Sequence, residues 1–286
     1  MKKILVPVDF SEVSTYAVQF AIELADKFNA EITLLNSIQF DLYSEQELSS
    51  KTGVRTIVKD VKTAVFEKMD LFAKQFNSKR EIHKEVNGVN LVTAVKDLVE
   101  EQGFDLVVIG TTGVSGLSEM IIGSNTERIV RHTPCPVISV PSQVNLQSIK
   151  KVLVPLDLRE LRSRFLTQIA NLQDTLKCEL EFTWVTDASF SARNEERLGK
   201  ELSRIFKEHH IDNYRIFIVN NISPEEGLFL EARESQADMI AMATHARRGI
   251  SHWLSGSITE DTVNHIDIPV WTFKIDKSEK IISLII

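Results

Sequence analysis

Apolar positions along the chain fall in two alternating rhythms. Short β-branched runs such as Ile4-Leu5-Val6, Ile32–Leu35, Leu106–Ile109 and Val137–Val140 alternate with longer stretches whose apolar residues recur every third or fourth place. The first rhythm predicts strands at Lys3–Asp9, Glu31–Ile38, Glu81–Val86, Asp105–Gly110 and Pro136–Val140. The second predicts helices. One starts at Ser11, a candidate N-cap, and runs to about Phe28, with Ala17, Phe20, Ala21, Leu24 and Ala25 on one face. A long one spans Val54 to Phe76, with Ile57, Val58, Val61, Val65, Met69, Phe72 and Phe76 at helical spacing. Two more cover Asn90–Gln102 and Ser124–His132. The last two strands are apolar throughout, as expected where helices cover both faces of a parallel sheet.

The same pattern then starts again. Val152-Leu153-Val154-Pro155-Leu156-Asp157 repeats Ile4-Leu5-Val6-Pro7-Val8-Asp9 at an offset of 148 residues, and Gly256-Ser257 repeats Gly123-Ser124 at an offset of 133. Strands are expected near Lys151–Asp157, Glu179–Thr186, Tyr214–Val219, Asp238–Ala243 and Ile268–Phe273. The 286 residues therefore divide into two tandem copies, residues 1–142 and 149–276, with an apolar tail at 277–286. Each copy alternates strand and helix, which implies right-handed crossovers and a doubly wound α/β fold.

Composition narrows the class without naming it. A net charge of -7 gives no reason to expect a nucleic-acid partner. No apolar run approaches the ~20 residues needed to span a bilayer. Two cysteines, Cys135 and Cys178, make neither a disulfide framework nor a metal spacing and fit a reducing, cytoplasmic setting. Met1-Lys2-Lys3 runs straight into a strand, so no signal peptide is expected. Of the histidines, His209 and His210 are consecutive and share no face, while His245, His252 and His265 lie in or just beyond the second copy's loop; no metal site is expected. No serine stands in a G-x-S-x-G elbow.

The chemistry concentrates in Gly110-Thr111-Thr112-Gly113 and, nine residues on, Gly123-Ser124-Asn125. This is a strand, a glycine-rich loop and a helix N-terminus in succession. Gly110 and Gly113 can take left-handed backbone angles and let an anion approach the main chain. Ser124 stands where the unpaired N–H groups and positive dipole end of the next helix would meet a phosphate. Asp9 ends the first strand, and two readings of it stay open: an acceptor for a base amine or ribose hydroxyl, or a partner of Ser11 in capping the helix.

The spacing G-x2-G-x9-G-S, followed by a helix and Pro134-Cys135-Pro136-Val137, resembles the nucleotide-binding segment of the universal stress protein family. The resemblance covers nearly the whole chain. It implies two Rossmann-like domains of the adenine nucleotide α-hydrolase type, each with a five-stranded parallel sheet of order 3-2-1-4-5. It further implies a cytoplasmic stress-response regulator that binds ATP or a related adenine nucleotide, with magnesium, through Asp9, Ser37, Gly110, Gly113, Gly123, Ser124 and Asn125. A possible second site would use Asp157, Val185, Arg247, Gly256 and Ser257, but Ala243 and Ala246 replace the first two loop glycines there. The alternatives are a nucleotide-independent scaffold and an enzyme, either slow in ATP hydrolysis or autophosphorylation or acting at the α-phosphate. The last lacks its serine-rich loop, because Asp9-Phe10-Ser11-Glu12 follows the first strand. Single-copy members commonly pair their fifth strands, so the resemblance implies an intramolecular pseudo-dimer through Val137–Val140 and Val270–Phe273. The tail Ile281–Ile286 is expected to pack on the chain or to mediate a further homodimer.

Overall fold

A computed structural model describes residues 1–38, 52–111, 124–158, 161–186, 192–220, 227, 230–231, 234–244, 268–275 and 278–284. The chain divides into two compact units, one holding residues 1–111 and 124–143, the other beginning at Val144.

In the first unit, β1 (Lys3–Pro7), β2 (Glu31–Ser37), β3 (Ile82–Asn87), β4 (Leu106–Gly110) and β5 (Val137–Val140) form a parallel sheet in the order β3-β2-β1-β4-β5. Helices α1 (Glu12–Phe28), α2 (Thr52–Ala73), α3 (Leu91–Gln102) and α4 (Ser124–His132) connect the strands. The second unit repeats this with β6 (Lys151–Pro155), α5 (Ser163–Leu176), β7 (Glu179–Thr186), α6 (Ala192–Glu208), β8 (Tyr214–Asn220), β9 (Met239–Thr244) and β10 (Val270–Lys274). Its order, β10-β9-β6-β7-β8, is the same one read from the other edge.

The core follows from the pattern. Ile4, Leu5 and Val6 of β1 and Leu106 to Ile109 of β4 are buried, since helices cover both faces of the sheet. Each such side chain contributes about 2 kcal/mol of transfer free energy. Helix α1 turns Ala17, Ala21 and Ala25 inward at a spacing of four residues, alongside Phe20 and Leu24. The small side chains let its backbone lie close to the sheet.

One device at the amino edge was not read from the sequence, and both copies carry it. Asp105, just before β4, accepts the N–H groups of Lys2 (2.6 Å) and Lys3 (3.0 Å) at the start of β1. Asp238, before β9, does the same for Lys150 and Lys151, both at 2.9 Å. Each carboxylate binds the strand pair at which the order reverses, β1 with β4 and β6 with β9.

The two copies differ at their first helix. Ser11 caps α1 by accepting the N–H of Ser14 at 3.3 Å, whereas Arg162 stands at the N-cap of α5 and makes no capping bond through its side chain. Ser11→Ala is therefore expected to cost about 1 kcal/mol, read as a lowered denaturation midpoint with an unchanged m-value. The connection after β6 is also longer, residues 156–162 against 8–11 in the first unit. The tail rests on this longer connection. Ile281 forms an antiparallel bridge with Arg162, the N–H of Ile282 donates to the carbonyl of Leu161 at 2.9 Å, and Arg164 lies 3.5 Å from Glu279.

Candidate functional site

In a doubly wound sheet, ligands bind beyond the carboxyl ends of the strands where the strand order reverses. In the first unit that place lies between β1 and β4, paired through Ile4–Leu106 and Leu5–Val107.

Both main-chain groups of Val8, just past β1, are held by β2. The N–H of Val8 donates to the carbonyl of Leu35, and the side-chain amide of Asn36 donates to the carbonyl of Val8, each at 2.8 Å. The chain then turns sharply. Phe10 adopts φ 67°, a left-handed conformation that costs an ordinary residue about 1–2 kcal/mol. Its ring lies edge-on to Phe72 at 5.5 Å, with the Lys68 ammonium 4.1 Å from its centroid. Contacts of these two kinds offset a strain of that size. The turn brings the N–H of Ser11 to Asp9 Oδ1 at 2.9 Å and sets Ser11 at the head of α1.

Asp9 is thus an exposed carboxylate with one oxygen engaged by its own loop. Partial burial pushes its pKa up, but hydrogen bonds from the Ser11 side chain and N–H and from Ser14 outweigh this and hold it below the usual carboxylate value. It is therefore ionised at neutral pH, an acceptor only.

Gly110 ends β4 beside this loop. A Cβ there would stand 2.3 Å from the carbonyl oxygen of Val13, 2.4 Å from its carbon and 2.8 Å from the nitrogen of Ser14. The left-handed angle that glycine permits is not used at this position. Among the described glycines only Gly103 has positive φ. The physical reason for glycine at 110 is instead the close approach of the first turn of α1. The sequence pattern flagged the position, but only tertiary packing shows what crowds it.

The remaining positions are placed as follows. Ser37 lies at the end of β2, and its hydroxyl donates to the carbonyl of Val89 in the turn after β3. Ser124 opens α4, and Asn125 follows it, exposed. Gly113 and Gly123 lie outside the described residues. In the second unit Asp157 is exposed just past β6, and Val185 is buried in β7. Strand register puts Pro155 opposite Thr183 as Pro7 is opposite Leu35, so Trp184 and Val185 stand where the first unit has Asn36 and Ser37. The second unit lacks both that amide and that hydroxyl. Arg247, Gly256 and Ser257 lie outside the described residues.

Burial pushes the Cys135 thiol up to about 12, with the charge of Asp105 adding to the effect, so it is not a thiolate nucleophile. Among the described residues no three His, Cys, Asp or Glu side chains are grouped to hold a metal ion. No helix among them is long and apolar enough to cross a membrane.

Comparison with known proteins bears on family and fold. The sequence profile of the Universal stress protein family matches residues 1–141 and again 148–274. A universal stress protein of Methanocaldococcus jannaschii is 30% identical over 140 residues, 49% of this chain and 81% of that protein. A putative universal stress protein of Staphylococcus epidermidis is 28% identical over 166 residues, 56% of this chain and 95% of that one. In three dimensions, a universal stress protein from Archaeoglobus fulgidus superposes with a TM-score of 0.66 at 18% identity, covering 95% of this chain and 98% of its own. That last likeness speaks to the fold alone, while the repeated profile match speaks to descent. The chain belongs to the universal stress protein family, and carries the family's domain twice.

Proposed function

We propose that the first unit binds ATP or another adenine nucleotide and that the protein acts as a stress-response regulator. The observation that carries this is the convergence of Asp9, Ser11 and Gly110 at the carboxyl ends of β1 and β4, where the sheet order reverses. The donor set suits such a ligand. Asp9 is an ionised, exposed acceptor for a ribose hydroxyl or base amine. The end of β2 at Ser37 supplies main-chain groups for the base. Helix α4 begins at Ser124, and Asn125 and Arg128 are exposed on its first turns, so its N-terminus and a nearby positive charge suit phosphate oxygens. Gly113 and Gly123 complete the loop in sequence. A bound magnesium ion would neutralise phosphate charge, which a loop without lysine does not do by itself.

The second unit is proposed to bind nucleotide at least tenfold more weakly, a difference of ~1.4 kcal/mol. Ala243 and Ala246 replace loop glycines, and Trp184 and Val185 replace Asn36 and Ser37. Equilibrium dialysis with radiolabelled ATP should give one occupied site per chain. Two sites of equal affinity would refute the asymmetry, and Ala243→Gly with Ala246→Gly tests whether the alanines cause it.

A further inference from the structure

The second unit holds a serine and a histidine in an arrangement that the nucleotide site does not use. Ser163 is the first residue of α5 and is exposed. Its Oγ lies 2.8 Å from Nε2 of His209, which follows the last residue of α6. The other ring nitrogen, Nδ1, lies 2.9 Å from the carbonyl oxygen of Ile205. A carbonyl only accepts, so Nδ1 carries a proton, and in the neutral imidazole Nε2 presents its lone pair to the Ser163 hydroxyl. A nucleophile within reach of a base, with the base oriented by a third group, is the general signature of an activated serine.

The surroundings favour the same chemistry. His209 is fixed by the way α6 ends. The N–H of Ile211 donates to the carbonyl of Phe206 (2.9 Å), that of His210 donates to Lys207 (3.1 Å), and His210 takes φ 58°. This pair of bonds is a Schellman termination, and both Ile211 and Phe206 are buried. Phe206 in turn stacks on Phe182 at 4.1 Å. The base therefore sits on a rigid element. The nucleophile stands at the positive end of one helix and the base at the negative end of another, so both dipoles favour the charges that develop on proton transfer from oxygen to imidazole. The first bond inside α5 runs from the Leu166 N–H to the Arg162 carbonyl (3.2 Å). The N–H groups of Arg164 and Phe165 thus have no acceptor within the helix and are candidate donors to an oxyanion next to Ser163.

We propose that Ser163 and His209 form a nucleophile–base pair that hydrolyses small carboxylic esters through an acyl-serine. Ser163 Oγ attacks the ester carbonyl carbon while its proton passes to His209 Nε2. The tetrahedral adduct collapses, the bond to the leaving alcohol breaks, and the alcohol takes the proton from Nε2. Water then attacks the acyl-serine, giving its proton to Nε2; the carboxylic acid leaves and the serine regains its proton. This activity is independent of nucleotide binding in the first unit.

The test is to react the full chain with 4-nitrophenyl acetate and with a fluorophosphonate, following nitrophenol release and locating the adduct by peptide mass spectrometry. The expected result is a burst of nitrophenol and an adduct on Ser163. Ser163→Ala should abolish both. His209→Gln should slow the burst about 100-fold or more, the scale of a lost general base. Ser163→Cys, which keeps a nucleophile in place, should still be acylated. Absence of a burst in the unaltered chain, an adduct on another residue, or equal rates with His209→Gln would overturn the proposal. The position of the adduct in the unaltered chain decides the matter even if a variant fails to fold.

Discussion

Gly110→Ala should destabilise the first unit by about 3 kcal/mol, lowering its melting temperature by on the order of 10 °C. The added methyl would stand 2.3 Å from the Val13 carbonyl oxygen, which is main chain and not a side chain that can swing away. Either β4 or the first turn of α1 must move. The same movement displaces Ser11 and Asp9, so nucleotide affinity should fall together with stability. Ala243, the counterpart in β9, serves as the internal control. Its reverse change, Ala243→Gly, should cost no more than the few tenths to ~1 kcal/mol expected of an added glycine. Differential scanning calorimetry of both variants checks the contrast. A Gly110→Ala protein that melts like the unaltered one would mean that α1 does not crowd the end of β4.

The second large effect concerns Asp9, where capping and ligand binding can be separated. Asp9→Asn keeps an oxygen to accept the Ser11 N–H but removes the charge. ATP affinity should drop about 10- to 100-fold, as for loss of a hydrogen bond to a charged group, and thermal stability at neutral pH should fall only by the part that the carboxylate charge contributes. Asp9→Ala should lose affinity and also loosen the start of α1. The folded carboxyl is held below its unfolded value, so the stability it contributes is complete above the unfolded value and is lost as pH falls through the folded one. Acid unfolding of Asp9→Asn should accordingly be less steep than that of the unaltered chain. Equal ATP affinity for the Asn variant would leave Asp9 as a loop residue only.

Much of the fold was legible because β-branched runs and helical spacing carry it. The offsets between Ile4 and Val152 and between Gly123 and Gly256 reveal the duplication. The uninterrupted apolar runs at Leu106–Ile109 and Met239–Met242 reveal buried parallel strands. The candidate site was legible only as a set of positions. Asp9, Gly110 and Ser124 do fall at strand ends and at a helix start on one edge of the sheet.

The reasons attached to single residues were less legible, because they depend on contacts distant in sequence. The strand predicted to reach Asp9 ends at Pro7, since Phe10 turns left-handed to reach Phe72. Glycine at 110 answers to Val13 in the first turn of α1 rather than to a left-handed turn. The Asn36 bond to Val8, which steadies the residue before Asp9, joins groups 28 positions apart and has no pattern in the sequence. The Ser163–His209 pair spans 46 positions, and two adjacent histidines gave no sign of which one would find a partner.

Isothermal titration of the full chain with magnesium ATP tests the central claim most directly. The account predicts saturable heat with one site per chain, and no heat from a Gly113→Val variant that still melts cooperatively. No heat and no thermal shift at millimolar ATP would contradict it, as would unchanged binding by Gly113→Val.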